Sequence, residues 1–284
     1  MNRFALITGA SRGLGAFLAS HFWSAGYSLC LVGRDLEALK SIALSFPKKN
    51  GAEVVFLVAD MADVSSVSSL CSEIRSRLPR LDVLINNAAI HGPIGSFWVN
   101  DLTAWRQAIQ VDLLAPIELC HAIVPWMKVQ GGGSIINLSG GGATAPRPNF
   151  SAYGTAKAGL VRFSETLAEE VKIHNIRVNC ISPGAMQTAM LAEVLEKGKT
   201  AVGQREFSIA SKVFQNGGAS MESVVNLALF LASDESNGIT GKLISAVWDD
   251  WGNWPEHLDE LSSTDVYTLR RIAGRDRGFT WGDK

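Results

Sequence analysis

The sequence predicts an α/β chain: one doubly wound, parallel sheet of about seven strands with helices on both faces, followed by a C-terminal extension. Three observations carry that prediction. Short, continuously apolar runs alternate with segments whose apolar residues recur at helical spacing, the signature of strands buried on both faces. A glycine-rich turn joins the first run to the first helical segment. The chain also has material for one sizeable core, with 284 residues, 47% hydrophobic and 19% charged, too little charge for a disordered chain.

The elements follow in order. Residues 4–8 form an apolar run ending in Gly9, after which Leu14, Phe17, Leu18 and Phe22 recur at helical spacing. Residues 28–32 form a second run, followed by a helix carrying Leu36, Leu39 and residues 42–44. Residues 54–58 form the third strand. Asp63 then caps a helix through Val67, Leu70 and Ile74, which Pro79 ends. Residues 83–85, 134–138, 176–181 and 243–247 supply four further strands. Right-handed crossovers between parallel strands make this a Rossmann-type sheet. No repeat and no Pro- or Ser-rich linker divides it, so residues 1–247 read as one domain.

Two regions depart from the alternation. Residues 187–218 are polar and glycine-containing, and read as a long connection that covers a substrate. Its cations Lys197, Lys199, Arg205 and Lys212 read as a solvated face rather than as holders of an anionic substrate. Residues 248–284 form an appended extension with Trp248, Trp251, Trp254 and Trp281 among charged residues. The spacing of the first three suits packing at an oligomer contact, with stacking on a polyol or sugar ring as the other use.

Composition excludes several classes. A formal net charge of −1 lacks the basic excess of a nucleic-acid-binding surface. Cys30, Cys71, Cys120 and Cys180 lie far apart with no CxxC pair or zinc spacing. They read as free thiols in a reducing compartment, with neither disulfide nor metal site. No apolar run reaches about 18 residues, and the first strand has no basic leader segment before it. The expectation is a soluble, cytoplasmic protein with no membrane partner.

The turn Thr8-Gly9-Ala10-Ser11-Arg12-Gly13-Leu14-Gly15 stands after a strand and before a helix. Glycines there let backbone approach a pyrophosphate, and the helix N-terminus offers free N–H groups and its dipole. Gly9, Ser11, Arg12, Gly13, Leu14 and Gly15 are therefore candidate dinucleotide contacts. An acidic residue at the end of the second strand would hold a ribose 2′-OH and repel a 2′-phosphate. Here that strand ends in Arg34, and Arg12 stands in the glycine turn, two guanidiniums that suit a phosphate. This favours NADP, with NAD as the alternative if Asp35 serves the ribose instead of capping the next helix. Asp60 either accepts from the adenine amino group or caps a helix, and Met61 beside it is counted among the contacts. Asn87 and Ala88 follow the fourth strand, where small residues fit against the adenosine ribose and Asn amides pin neighbouring strands.

The turn at 8–15, Asn86-Asn87-Ala88, Tyr153-Gly154-Thr155-Ala156-Lys157 and Pro183-Gly184 together resemble the short-chain dehydrogenase/reductase family, over residues 1–246. The resemblance implies an NAD(P) cofactor, hydride exchange with a small carbonyl or alcohol, and homodimers or homotetramers built partly from the long helices flanking the fifth strand. It assigns Pro183, Gly184 and Thr188 to the nicotinamide end and Lys157 to the nicotinamide ribose.

The residues agree with that chemistry. A phenol with a reference pKa of about 10 is a poor base at neutral pH. Lys157, one helical turn from Tyr153, favours the phenolate and makes proton exchange with a substrate oxygen feasible. The family's catalytic serine precedes its tyrosine by about thirteen positions, where this chain has Gly140. Ser139 is adjacent: either a one-residue bulge in the glycine run lets it polarise the substrate oxygen, which is the reading taken, or that role is lost. Asp112 occupies the slot of a family asparagine that holds a proton-relay water, and is either a relay acceptor or a solvated helix residue. His91 reads as structural or solvated. A cofactor-binding sensor or scaffold without turnover, and a nucleotide-sugar epimerase or dehydratase, remain alternative activities.

Overall fold

A computed structural model of the chain describes residues 2–49 and 51–281. Seven strands pair among the described residues: β1 (Phe4–Thr8), β2 (Ser28–Gly33), β3 (Val54–Val58), β4 (Val83–Asn86), β5 (Gly133–Leu138), β6 (Ile176–Ser182) and β7 (Leu243–Ser245). All pairings are parallel, in the order β3-β2-β1-β4-β5-β6-β7. The order reverses between β1 and β4, and the crevice at the carboxyl ends there is where such sheets bind ligands.

Alternation along each strand divides the core in two. Ile7, Leu31, Ile85 and Ile136 pack with α1 (Gly13–Ser24) and α9 (Met221–Ala232) on one face. Their neighbours Leu6, Cys30, Leu84 and Ile135 pack with α3 (Val64–Arg77), α5 (Ala115–Gln130) and α6 (Ser151–Val171) on the other. β1, β2 and β4 are buried at every position, as continuous apolar runs require. Asp35 accepts the N–H groups of Glu37 and Ala38 at the start of α2 (Leu36–Leu44), and Asp63 accepts that of Ser65 at α3. Each such cap stabilises its helix by about 1 kcal/mol.

Between β4 and β5, α4 (Leu102–Ile109) runs into a π-turn, Gln110–Leu114, and then into α5. The stretch Leu102–Gln130 is long and apolar enough to cross a bilayer, but half of its most apolar window is buried within the fold, as in a core helix. The predicted loop at 187–218 contains two helices instead, α7 (Ala189–Val202) and α8 (Gln204–Asn216). Left-handed glycines at 198 and 203 interrupt this pair and obscured its period, while Leu191, Val194, Leu195 and Val202 still share one packed face. The seventh strand ends at Ser245, two residues short of the predicted 247.

The extension packs on its own chain. Trp254 (5% exposed) and Leu261, the latter on α10 (Leu258–Ser263), join the α1/α9 core, and Trp251 lies 5.2 Å from the Phe230 ring. Beyond α10 the chain follows the open edge of β7. The Tyr267 carbonyl accepts Leu243 N–H at 2.8 Å, and the Val266 carbonyl accepts Lys242 Nζ at 3.0 Å. Leu269 N–H donates to Glu165 at 2.6 Å, and Arg162 donates to the Leu269 carbonyl. Edge groups that would otherwise offer themselves to another strand are thus partly satisfied within the chain. Trp248, 86% exposed, stays outside this packing. Trp254→Ala should therefore lower unfolding free energy by about 3–5 kcal/mol in urea titrations, whereas Trp248→Ala should stay within about 0.5 kcal/mol of wild type.

Candidate active site

The β1–α1 turn is built for close approach. A Cβ on Gly15 would run into the Gly9 carbonyl, and one on Gly9 would press on the Ala88 backbone at 2.9 Å. Thr8 Oγ1 accepts the N–H groups of Asn87 and Ala88 at 3.0 and 3.1 Å, and Asn87 Nδ2 donates to the Thr8 carbonyl at 2.9 Å. The β4 loop is thereby locked to the turn. Asn86 donates to Asn137, tying β4 to β5. α1 begins without a side-chain cap and with no acidic residue in its first turn, so its leading N–H groups face outward for an anion.

The end of β2 lies beside this turn. Ala10 N–H donates to the Val32 carbonyl at 3.1 Å, and a Cβ on Gly33 would sit 3.6 Å from that of Ser11. Arg12 and Arg34 are both exposed, and neither forms an ion pair among the described residues. Asp35, by contrast, has its carboxylate engaged as the α2 cap. Asp60 accepts Ala62 N–H at 3.0 Å, and the Met61 side chain is buried in the core, leaving its backbone for any ligand. At the nicotinamide end, Gly184 is exposed with φ +79°, and Thr188 caps α7.

Across the sheet, α6 presents Tyr153 and Lys157 one turn apart, both buried. Lys157 Nζ donates to the Leu138 carbonyl at 2.9 Å and lies 3.3 Å from Asp112 Oδ2. Asp112 is fully buried, which removes the solvated-helix alternative. Its Oδ1 accepts Ile90 N–H at 2.9 Å. Burial pulls the Lys157 ammonium down most strongly, but the charges of Asp112 and Tyr153 and the Asp112 hydrogen bond together hold its pKa above the usual lysine value. Burial pushes the Asp112 carboxyl up, with Lys157 opposing. Tyr153 is raised by burial, Lys157 opposing and Asp112 adding to the rise.

Gly140 is the residue whose α-carbon faces the Tyr153 hydroxyl: a Cβ there would collide with Oη. Ser139 is buried, its N–H donating to the Ile181 carbonyl, and its hydroxyl has no partner.

Three contacts escaped the sequence. His91, far from solvated, is buried with its ring edge-on to Tyr153 at 5.2 Å, and its Nδ1 lies 3.2 Å from Glu193 on α7. Arg147 lies 3.8 Å over the Phe150 ring and pairs with Glu206 on α8 at 2.8 Å. Ile94, Phe150 and Tyr153 then pack with Val194, Val202 and Ala210, so α7 and α8 close over the phenol. A polar residue's partner on a distant helix leaves no local signal. Lys197, Lys199, Arg205 and Lys212 are exposed, as a solvated face requires. Cavities of about 730 and 990 Å³ lie elsewhere, beside β1 and between α6 and the extension. The cysteines are free, and burial pushes Cys120 and Cys180 up to about 12, so neither is a thiolate at neutral pH.

The short chain dehydrogenase family model matches residues 3–199. The 3-oxoacyl-acyl-carrier-protein reductase of Chlamydia muridarum is 32% identical over 245 residues, 86% of this chain and 96% of the relative. An NADPH-dependent reductase of Bacillus subtilis is 31% identical over 251 residues, 86% and 96% of the two chains. A short chain dehydrogenase of Shigella flexneri, solved in complex with NADP, superposes with a TM-score of 0.74 at 26% identity, covering 87% of this chain and 98% of its own.

The closure of α7 yields a prediction with a defined sign. The hydrogen bond from His91 holds the Glu193 carboxyl below the usual range, so the contact is intact above the ordinary glutamate pKa and is lost as pH falls through the lowered one. Glu193→Gln should speed amide hydrogen exchange in α7 relative to wild type at neutral pH. That difference should vanish in acid, where both side chains are uncharged.

Proposed function

Because this chain belongs to the short-chain dehydrogenase family, we propose that it is an NADP(H)-dependent oxidoreductase interconverting a carbonyl and a secondary alcohol. The chain is an oxidoreductase that uses an NAD(P) cofactor and acts on a small molecule. The observation carrying the finer reading is the buried Tyr153–Lys157 pair on α6, with the phenol facing the end of β5.

The site fits a dinucleotide. Gly9 and Gly15 leave no room for side chains, and α1 opens uncapped behind Gly13 and Leu14. In our reading Ser11 and the first turn of α1 hold the pyrophosphate, and Asp60, Met61, Asn87 and Ala88 line the adenosine. Lys157 holds the nicotinamide ribose, with Pro183, Gly184 and Thr188 over the nicotinamide. Arg12 and Arg34, both exposed and without an ion pair among the described residues, hold a 2′-phosphate by charge-assisted bonds. The commitment of Asp35 to the α2 cap supports NADP over NAD.

The bound cofactor supplies or accepts the hydride. Tyr153 gives its hydroxyl proton to the substrate oxygen in reduction and takes one back in oxidation. Lys157 steadies the phenolate by its charge. Ser139, whose buried hydroxyl is unpartnered, is our choice for the second donor to that oxygen. Asp112 fixes Lys157 and the Ile90 N–H. Free thiols support a cytoplasmic setting, and family resemblance supports a homodimer or homotetramer.

Tyr153→Phe should abolish turnover while leaving cofactor affinity intact, read by tryptophan fluorescence; undiminished activity would reject the assignment. Arg34→Ala should weaken NADPH at least about tenfold, a loss of about 1.4 kcal/mol or more for a charge-assisted bond, and leave NADH unchanged. Equal losses for both cofactors would remove the 2′-phosphate role.

A further inference from the structure

Asp112 does more than its hydrogen bonds require. The π-turn Gln110–Leu114 carries it into the interior, where it is 0% exposed. An asparagine would serve the Ile90 N–H equally well, because the amide oxygen is also an acceptor. The aspartate adds a charge, and that charge touches Lys157 at 3.3 Å. Lys157 Nζ in turn lies 5.6 Å from the Tyr153 ring centroid. An uncompensated buried ammonium would draw the phenol strongly toward phenolate. Paired with a carboxylate it becomes a dipole, and part of that pull is cancelled.

Of the remaining groups around the phenol, Arg147 adds a pull toward phenolate smaller than that of Lys157. His91 from the β4 loop faces both Tyr153 and Asp112 but is held by Glu193 of α7. Arg147 stands 5.5 Å over the Tyr153 ring and is paired with Glu206 of α8. Cys180 of β6, near Lys157, is an uncharged thiol at neutral pH.

We propose that Asp112 is a positioning residue that neutralises Lys157, keeps Tyr153 in its protonated form beyond neutral pH, and so sets this site for carbonyl reduction. This rests on Tyr153 and Lys157 acting as assigned above. In that reaction the hydride that forms the new C–H bond would come from the reduced cofactor, which would leave oxidised, as the carbonyl π pair moves to oxygen. The O–H bond of Tyr153 breaks as that of the alcohol forms, and solvent returns a proton to the phenolate. A phenol that stays protonated is ready for this direction. Oxidation needs the phenolate and waits for higher pH.

The chain has three tyrosines, Tyr27, Tyr153 and Tyr267, so tyrosinate absorbance can be titrated in the full chain and the Tyr153 step identified by its loss in Tyr153→Phe. Asp112→Asn should move that step at least about one pH unit lower. It should move the alkaline rise of alcohol oxidation, and the alkaline decline of ketone reduction, by the same amount. An unmoved or raised Tyr153 step overturns the proposal, because a merely structural loss would reduce rates without displacing the titration. Should Asp112→Asn not fold, the carboxyl stretch of wild-type protein with labelled aspartate decides: an ionised Asp112 at neutral pH is expected, and a protonated one overturns the proposal. Turnover persisting in Tyr153→Phe would defeat the catalytic reading itself, whatever the titration shows.

Discussion

An ammonium group taken out of water costs several kcal/mol unless its charge and its protons are met. Lys157, 2% exposed, therefore fixes its neighbours. The Leu138 carbonyl must end β5 within reach, and Asp112 must be turned inward by the π-turn between α4 and α5. Ile90 N–H then satisfies the far oxygen of Asp112 and draws the β4 loop, with Asn87 and Ala88, into register beside the glycine turn. Cofactor cradle and proton-transfer pair lie on different strands. This chain of contacts from α6 through the π-turn to the β4 loop couples them.

How much of this was legible in the sequence depended on whether the relevant physics was local. Apolar runs, the turn at 8–15 and the Asp35 and Asp63 caps each act within a few residues, and the strands emerged within two residues of expectation. The Tyr153–Lys157 spacing is one helical turn and was equally readable. The π-turn was not, because it inserts one residue into an otherwise ordinary helical pattern and is fixed by Lys157, which lies 45 positions away from Asp112. The helices α7 and α8 hid behind glycines with positive φ. His91 and Arg147 found their carboxylates across the fold, on helices whose placement only the packed structure determines.

Gly140 illustrates a residue whose meaning lies in the space it leaves. Sequence spacing marked it as a missing serine. In the structure the Tyr153 hydroxyl comes up against its α-carbon, and any side chain there would displace it. The same packing places α7 and α8 over the phenol, so the region a substrate must enter is filled by Phe150, Val194 and Val202. A His91–Glu193 hydrogen bond and an Arg147–Glu206 ion pair hold these helices to the body.

The strip of chain along β7 has a consequence for biogenesis. Among the described residues, the Leu243 N–H and the Lys242 ammonium are met by the carbonyls of Tyr267 and Val266. On the ribosome, those carbonyls are made after the strand they cover. A growing chain that has assembled its sheet thus carries an uncovered margin, and a window for pairing with other nascent strands, until about twenty more residues have emerged and folded back.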